Sequence, residues 1–370
     1  MREYGGWLRP AWYGTDEPER AIQREAARAR DTVALFDGSS LGKIEIIGPD
    51  AAKLADFHSY NRLSTLKPGK IRYGFLLWET GVVFDDGVSL RLADDRFLVS
   101  CSSGHTDAVL TRLELWRQDR FDPRRVVVHD GTAHWATLTV SGPRSRDLLA
   151  AFDLGVALDD ESLPHMAFAT GMFEGAPLRI ARVSFTGDRS YELSVPAGRA
   201  KLLRARIVEK LSAFGGGLLG LEGLMILRAE KGYVVIGKDT DGTTMPHDLG
   251  ISGPRDSRMD EYIGKRSLFT PAAQEKTGKQ FVGLSVGSGE APLPTGAHVV
   301  AGEGKARRSL GYVTSSYTSP TLARPIALGL VEEGFSRMGE SVAIYHLGAE
   351  RRASIAPAVA LDGEGKRLHA

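Results

Sequence analysis

One local unit occurs twice in this sequence, at residues 43–57 and again at 137–152, and it restricts the fold more than any other feature. In the first copy, Lys43-Ile44-Glu45-Ile46-Ile47 alternates like a half-buried strand. Gly48-Pro49 turns the chain, and residues 50–57 read as a helix with proline at its first turn. In the second copy, Thr137-Leu138-Thr139-Val140-Ser141 is the strand, Gly142-Pro143 the turn and 144–152 the helix. Both helices end in a leucine three residues before a phenylalanine, Leu54 with Phe57 and Leu149 with Phe152. Two matched strand–turn–helix units imply an internal duplication of an α+β unit.

The rest of the chain extends this division. Val109, Leu110, Leu113 and Trp116 fall on one face of a helix over 105–117, and Leu202, Leu203, Ile207 and Leu211 do so over 200–214. Residues 82–98 read as two strands broken by a polar turn at 93–96. Residues 270–278 have linker chemistry. Beyond them, short alternating segments at 280–286, 298–301, 309–314, 325–331 and 341–345 predict a small barrel or sandwich. The expected organisation is a duplicated α+β region over 1–270, with repeat units near 30–125 and 130–270, and a β domain over 278–370.

Composition narrows the function classes. Lys plus Arg is 47 and Asp plus Glu is 46 in 370 residues, so no charge footprint for nucleic acid or an anionic membrane exists. The single cysteine, Cys101, cannot close an internal disulfide or build a thiolate metal site. No segment reaches the roughly 18–20 apolar residues of a spanning helix, and the first ten residues lack a secretory core. A cytoplasmic location is expected. Trp7, Pro10, Trp12 and Tyr13 suggest a packed arm and not a targeting peptide, with an irregular start to the fold as the favoured reading.

Several strings carry possible chemistry. Gly215-Gly216-Gly217-Leu218-Leu219-Gly220 fits a dinucleotide fingerprint, but it follows a helical pattern and reads better as a helix end. Gly283-Leu284-Ser285-Val286-Gly287 fits a nucleophile elbow, but no helix follows, so Ser285 is expected in a strand. Asp239-Thr240-Asp241-Gly242-Thr243 resembles the aspartyl-nucleophile motif of haloacid-dehalogenase phosphatases. Gly237-Lys238 before it and Met245-Pro246 after it count against that reading. His129 and His134 lack a third ligand, and no metal site is expected. Asp85-Asp86 follows an apolar run; a metal pair, an acid/base pair and a turn all fit, and on spacing alone the turn is favoured. Adjacent strand residues point to opposite faces, so the two carboxylates need not share a role.

The order of longer strings is more specific. Phe36-Asp37-Gly38 leads to Leu41-Gly42-Lys43, and Arg72-Tyr73-Gly74 leads through Trp78 to Asp85-Asp86. Then come Tyr191-Glu192-Leu193-Ser194-Val195-Pro196, Leu227-Arg228-Ala229-Glu230-Lys231-Gly232 and Gly264-Lys265-Arg266. This series resembles the aminomethyltransferase (glycine cleavage T-protein) family. Within it the series is most similar to the folate-binding C-terminal half of the heterotetrameric sarcosine oxidase α subunit. The resemblance implies a duplicated α+β cloverleaf fold with a C-terminal β-barrel, and tetrahydrofolate as cofactor. It implies that Asp85 faces the folate and the one-carbon unit, that Glu192 holds the pterin, that Tyr73 lines the site, and that Ser100 lies near a polar contact. Leu224 stands where the aminomethyltransferase proper has an arginine, so binding of the folate glutamate tail is expected to differ. Tyr233 follows Lys231-Gly232 where folate-binding iron–sulfur assembly factors have cysteine.

The implied function is tetrahydrofolate-dependent transfer of a methyl or methylene carbon from a small N-methyl compound. The α subunit's NAD-binding half is not represented in these residues, so amine oxidation is expected to need flavoprotein oxidase or dehydrogenase subunits as partners. Direct methyl transfer from a sulfonium, quaternary ammonium or aryl ether is an alternative. A non-catalytic folate-binding subunit and an Asp239/Asp241 phosphatase complete the set.

Overall fold

The computed structural model describes residues 1–275 and 278–370; Lys276 and Thr277, in the expected linker, lie outside the described residues. Both copies of the repeated unit form. Strand Gly42–Ile47 leads to helix Ala51–His58, and strand Trp135–Ser141 leads to helix Ser145–Ala150. The turn glycines have nearly the same left-handed backbone, φ 127° at Gly48 and 126° at Gly142. A Cβ on Gly48 would sit 2.3 Å from the Arg125 carbonyl, and one on Gly142 2.5 Å from the Thr32 carbonyl. Only glycine meets both demands. The same two carbonyls accept from Asp50 N and Arg144 N, at 3.2 and 3.0 Å, as each helix begins. Pro49 lies ahead of the first helix and not within its first turn.

Five antiparallel strands form one sheet, in the order Ile71–Leu77, Val83–Ala93, Arg96–Cys101, Gly42–Ile47, Val127–Asp130. The other sheet has six, in the order Ala167–Phe173, Ala176–Arg182, Ser190–Pro196, Trp135–Ser141, Ala34–Asp37, Gly217–Leu218. Ala34–Asp37 therefore pairs with the second repeat's strand, although it precedes the first repeat in the chain. Each sheet buries one face under helices. Ile44, Ile46, Phe97 and Val99 pack with Leu54, Val109 and Leu113, while Leu138, Val140, Tyr191 and Leu193 pack with Leu149, Leu203 and Ile207. The opposite faces meet where Ile71, Leu90 and Leu98 contact Ala181 and Val183. Gly42–Ile47 is consequently buried on both sides and not half-buried, with Ile47 alone partly exposed.

The remaining β strands close into a six-stranded antiparallel barrel over Lys279–Ser285 to Ala349–Ala356. Ser285 ends the first of these strands, as expected. The last strand escapes sequence reading because its inward positions are Ala353 and Ile355 among charged neighbours. Phe281, Ile326, Leu328 and Leu330 seat the barrel on Ala229 of helix Leu221–Glu230. The glycine string does end a helix: Gly215, φ 70°, closes the turn after Ala200–Leu211. The N-terminal arm is a hairpin of Arg2–Tyr4 and Trp7–Arg9. Its continuation caps helix Leu221–Glu230, with the Pro10 and Ala11 carbonyls accepting from Leu221 N and Glu222 N at 2.9 and 3.0 Å.

Candidate functional site

The space between the two sheets collects polar side chains that strand alternation aims inward. On Ser190–Pro196, Tyr191, Leu193 and Val195 enter the helix-covered core, so Glu192 takes the other face. Its register partners are Ala181 and Thr139. Ala181 already packs against the five-stranded sheet, which puts Glu192 on the inter-sheet side. The Glu192 carboxylate makes no hydrogen bond among the described residues. Burial pushes its pKa up to about 7, with the charge of Lys43 opposing. Lys43 comes from the facing sheet, and its Nζ donates to the Ser39 and Leu41 carbonyls at 2.9 and 2.8 Å. Burial pulls the Lys43 pKa down to about 8, with Glu192 opposing. A carboxylate with free lone pairs, beside an ammonium already occupied elsewhere, is a receptor for N–H donors.

Ser100 pairs in register with Lys43 and shares the inter-sheet side with Leu98. Tyr73 lies between Ile71 and Phe75 on the same side of its strand, and its hydroxyl donates to Asp86 Oδ2 at 2.7 Å. Burial, then the charge of Asp85, raises the Asp86 pKa to about 7. Burial followed by Asp86 holds the Tyr73 hydroxyl well above its ordinary range. Thr139, the register partner of Glu192, pairs on its other side with Phe36, which lines a cleft together with Trp7, Arg9, Tyr13 and Asp37.

Asp85 has different company. It is fully buried; its Oδ2 accepts from Ser102 N at 2.9 Å and its Oδ1 lies 3.2 Å from His105 Nδ1. His105 stacks on Phe84, centroids 5.5 Å apart and planes 17° from parallel. Its hydrogen bond to Asp85 raises its pKa above the ordinary value. Strand alternation thus puts Ser100 and Glu192 on the inter-sheet sides of the two sheets, and Tyr73 on the same side of its strand as Ile71. It sets Asp86, and not Asp85, against the Tyr73 hydroxyl, while Asp85 lies within electrostatic reach of Tyr73 and turns its oxygens to the segment that begins helix Thr106–Arg120. Lys43, Asp86 and His105 were not singled out from the sequence as site residues. Asp86 was visible as half of a pair; Lys43 and His105 carry no local signal.

Asp239 and Asp241 tie the barrel to the α+β region. Asp239 is fully buried and accepts from Arg228, Val235 N at 3.0 Å, Thr314 Oγ1 at 2.6 Å and Ser315 Oγ at 2.7 Å. Asp241 pairs with Lys279 and accepts from Tyr312 OH at 3.2 Å. A carboxylate so saturated has no free oxygen for in-line attack on phosphorus. Among the described residues, no three His, Cys, Asp or Glu side chains converge as metal ligands, and no helix is long and apolar enough to cross a membrane.

Comparison with known proteins is consistent along the chain. Residues 1–253 match the family model described as the GCVT N-terminal domain, and 279–362 match the glycine cleavage T-protein C-terminal barrel domain. Sarcosine oxidase subunit alpha of Corynebacterium sp. (strain U-96) is 34% identical over 374 residues, covering 99% of this chain and 39% of that protein. The chain therefore spans about two-fifths of the length of such α subunits. The aminomethyltransferase of Streptomyces coelicolor is 31% identical over 342 residues, 92% of this chain and 87% of that one. Among solved structures, glycine cleavage system aminomethyltransferase T from Bartonella henselae superposes with a TM-score of 0.84 at 24% identity, covering 98% of this chain and 94% of that one, a likeness of fold.

Proposed function

The chain belongs to the glycine cleavage T-protein family, and we propose that it is a tetrahydrofolate-dependent one-carbon transferase acting on a small N-methyl compound. The observation that carries this reading is Glu192, a carboxylate that burial pushes up to a pKa of about 7 and that makes no hydrogen bond among the described residues, on the inter-sheet side beside Lys43. A pterin edge presents paired N–H donors, and a partly dehydrated carboxylate accepts such a pair strongly. Tetrahydrofolate, when bound, supplies the nitrogen that takes up the carbon unit. Lys43 balances the Glu192 charge, Tyr73 and Ser100 line the ring, and Asp86 holds a proton near neutrality next to Tyr73. Asp85 orders the neighbouring backbone through Ser102 N. Residues 1–270 form the folate-binding region in this reading, and residues 278–370 the barrel that closes it. The similarity to sarcosine oxidase α subunits supports an N-methyl amine as carbon donor and a flavoprotein as the partner that oxidises it.

The test is calorimetric titration of the purified chain with tetrahydrofolate, wild type against Glu192→Ala. Saturable binding weakened at least about tenfold by the substitution is expected, the value of one charge-assisted hydrogen bond. Absence of binding to the wild type, or equal affinity in the variant, overturns the reading.

A further inference from the structure

Arg9 is buried although every other residue of the two N-terminal hairpin strands is exposed. Its guanidinium lies over the Phe36 ring, 5.0 Å from the centroid, with the Tyr4 ring at 6.0 Å. Nη2 donates to the Asp37 carbonyl at 3.3 Å, and this is the guanidinium's one hydrogen bond among the described residues. No carboxylate forms an ion pair with it among them either. Burial pulls its pKa below the ordinary value, with the Asp37 charge opposing. A guanidinium taken out of water usually has its anion beside it. Nε and Nη1 of Arg9 are unbonded yet not sealed within protein, and Arg9 lines the cleft it shares with Trp7, Tyr13, Phe36 and Asp37. The free donors therefore face that cleft.

We infer that this cleft is a receptor for a carboxylate carried on an aryl or N-methylated body, with Arg9 as the group that grips it. Two parallel N–H groups of a guanidinium match the two oxygens of a carboxylate. The walls suit the body. Trp7, Tyr13 and Phe36 present rings that take an aryl group by stacking or a methylammonium by its charge. Asp37 adds a constraint: its Oδ1 accepts from Ser39 N at 2.9 Å, and its Oδ2 makes no hydrogen bond among the described residues. Its charge opposes a dianion and favours an ammonium. Two sources supply such a carboxylate. One is a small N-methyl amino acid, whose ammonium Asp37 accepts. The other is the carboxylate end of folate. Phe36 and Glu192 pair with Thr139 from either side, so their side chains share one face of the sheet two strand spacings apart, roughly 10 Å. The site itself stands without the folate reading, because neither Arg9 nor the cleft walls depend on Glu192.

The test is calorimetric titration of the full chain with p-aminobenzoylglutamate and with N-methylglycine. The Arg9 Nε–H resonance, identified by its loss in Arg9→Gln, locates the binding. At least one probe should bind saturably, shift that resonance, and bind at least about tenfold more tightly than its own amide. Arg9→Gln should weaken the same probe by about tenfold or more while keeping the wild-type unfolding midpoint within a few degrees. The amide comparison uses the wild-type chain, so it decides the matter even where Arg9→Gln fails to fold. Preference for N-methylglycine assigns the carboxylate to the amino acid; preference for p-aminobenzoylglutamate assigns it to folate. Glu192→Ala should leave either affinity within about twofold, so absence of tetrahydrofolate binding with probe binding intact refutes the folate reading alone. The carboxylate site is overturned where neither probe binds the wild type, where acid and amide bind equally, or where a folded Arg9→Gln binds as the wild type does.

Discussion

Glu192→Gln keeps the size of the side chain and removes its charge, and its effect on stability follows from burial. In the folded chain the carboxyl has a pKa of about 7, against 4.5 for an unperturbed glutamate, with desolvation as the main cause. A raised acid pKa means that the folded state holds the proton more tightly than the unfolded state. Below pH 4.5 both states are protonated and the group costs nothing. Between pH 4.5 and 7 the unfolded state alone ionises, so stability falls as pH rises, by about 1.4 kcal/mol per pH unit. Above pH 7 the accumulated cost is about 3 kcal/mol, an upper bound because Glu192 retains some contact with water. Glutamine carries no such cost. Urea unfolding should therefore find Glu192→Gln more stable than wild type by 1 to 3 kcal/mol (on the order of these values) at pH 8, and equal to it at pH 4. The same variant should bind tetrahydrofolate at least about tenfold more weakly, having lost the charge on its acceptor. A variant less stable at pH 8, or stabilised equally at both pH values, would refute the claim that the carboxylate is held dehydrated. Stability gained where affinity is lost is the expected mark of a group kept for binding and not for folding.

Two other substitutions probe the frame around the site. Gly48→Ala and Gly142→Ala each force a Cβ onto a backbone carbonyl at positive φ. Each should destabilise by roughly 2–4 kcal/mol in denaturant unfolding, and a tolerated alanine at either turn would contradict the geometric equivalence of the repeats. Asp239→Asn leaves the fully buried Arg228 without its ionic partner. It should cost about 3–5 kcal/mol in the same assay, and the wild type should show no magnesium-dependent phosphatase activity for the substitution to remove.

What could be read from the chain depended on whether the deciding contact was local. Gly48 and Gly142 announce themselves because a tight turn leaves its demand in two adjacent residues. Most barrel strands are legible because alternation is a period of two, and Ala349–Ala356 is not because only Ala353 and Ile355 turn fully inward, after the charged run Glu350-Arg351-Arg352. The site obeys neither rule. Glu192 and Lys43 face each other from different sheets, and nothing within either string reveals the other; only the ordered series of strings pointed to Glu192, and Lys43 went unmarked. The Asp85-Asp86 pair was legible as a pair, but its division of labour depends on strand register. The pairing shifts between Leu76 and Leu77, which sets Leu76 opposite Asp85 and Phe75 opposite Asp86. One residue of slip would exchange the two carboxylates between the Tyr73 side and the His105 side. Resemblance marks the pair, while the bulge decides that Asp86 meets the tyrosine and Asp85 the imidazole. The two are therefore not interchangeable: Asp86→Asn acts on the Tyr73 hydroxyl, whereas Asp85→Asn acts on the His105 ring and the Ser102 backbone.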